Sequence, residues 1–164
     1  MKQRTKRIIP PAVLIAGIMI YELIKQLTGS IPSQKEVENI YEIHKDNMDF
    51  IVSYIANFER ENESFYITPD SIEILDSHGI VSGAMDPDED FKKAISNLFD
   101  NSKIVLIYDD GLDHNYVVFE AESKHSFVFN GIAIAKNGKE PSWEFIKLQK
   151  KKCIQDGVYY FEGE

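Results

Sequence analysis

From Val37 to Phe58, large side chains return at steps of three and four: Val37, Ile40, Tyr41, His44, Met48, Ile51, Val52, Ile55 and Phe58. That spacing puts them on one face of a helix about six turns long. A strand would divide the same residues between two faces. Just upstream, Ser33-Gln34-Lys35-Glu36 has the pattern of a capping box, so the helix is expected to begin there and to form the centre of the core. Ile43, Phe50 and Tyr54 widen the stripe and predict cover on more than one side. His44 lies on the stripe, where a hydrogen-bonded structural histidine is expected rather than a catalytic one.

The chain then changes period. Ser64–Thr68 and Ile72–Leu75 read as strand pieces around Pro69-Asp70-Ser71, which is turn chemistry. His78-Gly79 and Ser82-Gly83 read as loops. Asp86-Pro87-Asp88-Glu89-Asp90 opens a second, shorter helix, with Asp86 as cap, Pro87 in the first turn and three acids on the positive end of the dipole. The alternate Asp residues also suggest a calcium loop. However, Phe91 and Asn97 stand where such a loop needs Gly and Glu.

From Lys103 onward strands follow in series: Ile104–Tyr108, Tyr116–Glu120, Phe127–Ala135 with a bend at Gly131, Trp143–Leu148, a piece ending near Ile154, and Val158–Phe161. Asn137-Gly138 and Asp156-Gly157 supply turns. Short connections favour antiparallel pairing, and the runs IVLIY and YVVF predict strands covered on both faces. The expected fold class is α+β: a long amphipathic helix on a curved antiparallel sheet, with a second short helix at an edge or over one face. This order of elements resembles the cystatin-like and NTF2-like arrangement, in which a sheet wraps a helix. The resemblance implies an architecture and no activity.

Residues 1–30 differ in character from the rest. Lys2, Arg4, Lys6 and Arg7 precede the uncharged run Ile8–Tyr21, whose apolar residues include Ile8, Ile9, Val13, Leu14, Ile15, Ile18, Ile20 and, just beyond, Leu23. As a helix, residues 8–27 span about 30 Å, the thickness of a bilayer's hydrocarbon. The segment reads as an uncleaved signal-anchor contacting membrane lipid, with a cleaved signal and a secreted product as the alternative. In both cases the basic N-terminus stays cytoplasmic and residues 31–164 lie outside. Gly17 with Glu22 resembles the processing site of type IV pilin precursors, but there the apolar helix follows the glycine. Here it mostly precedes it.

Residues 1–30 carry a net +4, which leaves −13 for residues 31–164 out of the total of −9. So acidic a domain is not built to grip nucleic acid. The run Lys150-Lys151-Lys152 reads as a charged sheet edge guarded against strand pairing, with lipid headgroups as a second reading. Cys153 is the sole cysteine, expected as a buried inert thiol, so no disulfide forms within the chain.

Chemistry is sparse. The best candidate metal ligands are Asp109, Asp110, Asp113 and His114, in a loop between two strands where a divalent cation could bind. A polar hairpin loop accounts for the same residues. No GxSxG, GxxxxGK[ST] or GxGxxG occurs, and no cofactor is expected. The reading preferred from these features is a non-catalytic, membrane-anchored domain that binds a protein or envelope component. Two alternatives stand beside it: a small exported hydrolase or metal-dependent enzyme, and an acidic inhibitor or immunity-type module steered onto a basic partner.

Overall fold

The computed structural model describes residues 32–58, 63–76, 78, 80–84, 86–109, 115–121, 129–138 and 147–163. The leader, with its proposed anchor residues, lies outside them, as do Asp110, Asp113 and His114. The described residues belong to one compact unit, Ile31–Glu164. Two helices and eight strands follow in the order α1 (Gln34–Phe58), β1 (Ser64–Ile67), β2 (Ile72–Leu75), β3 (Val81–Ala84), α2 (Glu89–Asn101), β4 (Ile104–Asp109), β5 (Tyr116–Ala121), β6 (Phe129–Ala135), β7 (Leu148–Gln155) and β8 (Val158–Gly163). The fold class is α+β, with both helices packed on an antiparallel sheet.

Helix α1 begins where the capping box predicts. The Ser33 hydroxyl accepts from the Glu36 backbone N–H at 3.3 Å, and the Glu36 carboxylate accepts from the Ser33 N–H at 2.8 Å. The whole periodic stripe from Val37 to Ile55 is buried, His44 included. The expected widening fails at two positions. Ile43 and Phe50 are 67% and 41% exposed, because they lie on the flank of α1 that faces outward beside α2. Tyr54, one turn further on, does find cover, stacking on Phe91 of α2 at 4.0 Å.

The start of α2 also needs correcting. Asp88, not Asp86, is the cap: its carboxylate accepts from the Phe91 N–H at 2.9 Å, and the helix starts at Glu89. Both aspartates match the cap pattern. Only Asp88 lies three residues before an N–H that needs an acceptor and heads a buried face of Phe91, Ala94, Ile95 and Leu98. Asp86 pairs instead with Lys92 at 2.8 Å.

The sheet runs β3-β2-β1-β4-β5-β6-β8-β7, antiparallel throughout. Two pairings skip elements of the chain: β1 lies against β4 although β2, β3 and α2 intervene, and β6 lies against β8 although β7 intervenes. One face carries Phe65, Ile67, Ile107, Val117, Phe119, Ile132, Ile134 and Tyr160 against the helices. The opposite face buries a smaller cluster of Tyr116, Val118, Ala133 and Phe161. Strand β5 is therefore apolar on both faces, as YVVF predicts.

Ser82-Gly83, expected as a loop, lies within edge strand β3. A register shift at Ser82, whose hydroxyl bonds the Ile74 carbonyl at 3.2 Å, breaks the alternation that would have marked it. No bulge interrupts β6 at Gly131. Its register with β5 and β8 is continuous, and the glycine is needed because a Cβ there would stand 2.2 Å from the Phe119 carbonyl oxygen. Residues 143–146 lie outside the described residues, and Leu148 opens β7 rather than ending a strand. Strand β7 is the other sheet edge, and it carries the three lysines. Cys153 on it is exposed, against the expectation of burial, since an edge strand leaves that position open. Among the described residues, no helix is long and apolar enough to cross a membrane.

Candidate functional site

Of the four candidate metal ligands, the structure describes Asp109 alone. It ends β4 on the helix-facing side, paired across the ladder with Val117 and Phe65. Its carboxylate is fully buried and meets the Lys136 ammonium, itself 7% exposed, at 2.9 Å. Lys136 follows Ala135 at the end of β6, so it continues the inward-facing series Ile132, Ile134. Sequence reading missed this lysine. Its signal was a charge at an inward position just before the Asn137-Gly138 turn. Among the described residues, no group of three or more His, Cys, Asp or Glu side chains could hold a metal.

His44 is held by backbone. Its Nε2 lies 3.2 Å from the Asn101 carbonyl oxygen, joining the first half of α1 to the last turn of α2. With Tyr54 stacked on Phe91 near the start of α2, this shows the helices running in opposite directions. His78 is exposed in a turn whose backbone N–H groups bond Asp76, holding that carboxyl below its usual range. Burial, with Asp49 and Glu42 nearby, pushes the Tyr41 hydroxyl up to about 12. Burial and the Glu162 carboxylate do the same for Tyr160. Both phenols stay protonated near neutral pH, which makes them hydrogen-bonding groups and not bases.

What the helices leave open is a groove along their outer seam. One end is a cleft of about 500 Å³, lined by Asn39, Ile43, His44, Asn101 and Lys103 among others. Further along, a smaller cleft of about 250 Å³ lies between Asn47 and Phe50 of α1 and Lys93 and Asn97 of α2. Ile43 and Phe50 are seven residues apart, so they rise from α1 as one ridge beside both clefts. A third cleft, about 360 Å³, separates the β1–β2 turn from α2, where Lys92 meets Asp86 and Glu89. The groove thus offers an apolar ridge flanked by four Asn side chains and by the charged Glu36, Asp90, Lys93, Asp100 and Lys103. That chemistry suits contact with another surface better than bond breaking.

The fold defines a class and no more: two helices on one face of an eight-strand antiparallel sheet. No family model matches the chain, and comparisons with curated proteins and with solved structures return no match.

Proposed function

We propose that the chain is a single-pass membrane protein whose acidic extracytoplasmic domain binds a protein or envelope component and is not a catalyst. The outward ridge of Ile43 and Phe50 carries this reading. Two large apolar side chains beside a polar groove cost solubility and are the kind of anchor that a partner surface covers, with the polar groups at its rim. The leader supports the location: basic residues, an uncharged run over Ile8–Tyr21 that reaches bilayer length when extended through Glu22 and Lys25 to Leu27, and an acidic remainder.

Photo-crosslinking in intact cells tests the binding face. A crosslinking residue at position 43 or 50 should capture a discrete partner, whereas one at Glu42, about 100° round α1 from Ile43, should capture it far less. Equal capture from all three positions, or none from 43 and 50, removes the ridge as a binding surface.

A further inference from the structure

Ile43 and Phe50 lie seven residues apart on α1, so they leave the helix about 10.5 Å apart along its axis and nearly in line. Ile43 lines the larger cleft of the helix seam and Phe50 the smaller one. Asp46 stands between them, three residues after the first and four before the second, and it is exposed. Across the seam, α2 sets Asp90 and Lys93 beside Phe50 and Asp100 beside Ile43.

The helices are acidic. There are five acidic residues on α1 and three on α2, against two lysines on each. Two of those lysines are engaged away from the seam. Lys45 reaches Gln155 of β7 at 3.4 Å, and Lys92 bonds Asp86 and Glu89 at the start of α2. Lys103 does reach the seam, where it pairs with Glu36 at 3.2 Å.

We propose that this seam receives a basic amphipathic helix of a partner protein. The inference rests on the ridge being a binding face and names the chemistry of what binds there; it does not depend on the membrane anchor. Spacing is the first argument. Side chains on one face of a strand recur at about 6.6 and 13.2 Å, and neither distance matches the ridge. A helix laid along the seam returns a side chain to the same face every seven residues, about 10.5 Å, so successive turns can bracket both Ile43 and Phe50. Charge is the second argument. A two-fold that set Ile43 against Phe50 of another copy would have its axis between residues 46 and 47. It would bring the two Asp46 carboxylates together, a like-charge contact that opposes self-docking. Lys or Arg beside the apolar residues of a partner helix would instead meet Asp46 on α1 and Asp90 and Asp100 on α2.

Sequencing the crosslinked peptides tests this. The full chain in intact cells carries the crosslinking residue at position 43 or, separately, at position 50, and the joined peptides are read after digestion. Both positions should reach one segment of one partner, at sites about seven residues apart. That segment should carry a net positive charge and apolar residues at steps of three and four. Asp46→Lys in either background should lower capture several-fold with the Tm of the chain unchanged, and Asp46→Asn should lower it less. Capture through an acidic or neutral segment, at strand spacing, from only one of the two positions, or undiminished by Asp46→Lys overturns this proposal alone and leaves the ridge as a binding face. Capture of a second copy of the chain overturns it in favour of self-association. Capture of the chain's own residues 1–30 overturns it together with the anchor reading. No capture at either position overturns the binding face and this proposal with it.

Discussion

Replacing Lys136 by Met would take from the Asp109 carboxylate the ammonium it pairs with. In the folded chain that carboxylate is fully buried and its partner ammonium is 7% exposed, 2.9 Å away. Methionine fills nearly the same volume, so the cost is mainly electrostatic. Breaking one side of a buried pair typically costs about 3–5 kcal/mol, because the remaining charge is stranded. For a domain of this size that corresponds to a fall in Tm of about 10–15 °C. Asp109→Leu should be destabilising in the same direction, because it removes the ion-pair partner 2.9 Å from a largely buried ammonium. The double change Asp109→Leu/Lys136→Met removes both charges and should return to within about 1 kcal/mol of the original, since a dry pair barely outcompetes apolar packing. Thermal melts of all four proteins at neutral pH, followed by near-UV circular dichroism, give the cycle. Single variants that melt within about 3 °C of the parent, or a double variant as unstable as the two singles added together, would show that the pair is wet or that β4 and β6 part at this end.

Other outcomes follow from the same geometry. Gly131→Ala should destabilise by about 3 kcal/mol, at the upper end for overpacking, because the clash is with the Phe119 backbone, which has no rotamer to yield. Asp88→Ala should cost about 1 kcal/mol and shorten α2 in amide exchange, while Asp86→Ala should change little. The reverse order would return the cap to Asp86. The carboxyl of Glu36 is lowered to about 2 by the Ser33 backbone N–H, the Ser33 hydroxyl and Lys103. A depressed folded value contributes stability above the unfolded value near 4.5 that is lost as pH falls toward 2, so Glu36→Gln should flatten the acid limb of a stability–pH curve. Burial acts oppositely on Glu120, raising its pKa. Glu120→Gln should therefore stabilise the protein at neutral pH, with the gain vanishing as pH falls through the raised value.

The parts of the fold legible in the sequence were those decided locally. The α1 stripe, the Ser33–Glu36 box, the turn around Asp70 and the Asp156-Gly157 hairpin each depend on residues within a turn or two of one another, whereas Asn137-Gly138 makes a turn but no hairpin between β6 and β7, because β6 pairs with β8. What failed depended on neighbours distant in the chain. Asp86 and Asp88 carry the same local cap signal, and the packing of Phe91 chooses between them. Ile43 and Phe50 looked like core because periodicity reports a face, not whether a second element covers it. Cys153 is exposed because β7 is an edge, a fact of strand order set partly by the β6–β8 pairing. The Asp109–Lys136 pair joins residues at the ends of β4 and β6, and no spacing rule links them. At the candidate site, the sequence flagged Asp109 among four acidic or imidazole groups, yet only the fold supplied its cation.

Fractionation of the full-length chain followed by intact-mass measurement bears most directly on the account. A membrane-bound species that resists alkaline extraction and retains residues 1–30 is the expected result. A soluble species beginning near Ile31, or an intact chain recovered free in the cell's interior extract, would contradict it.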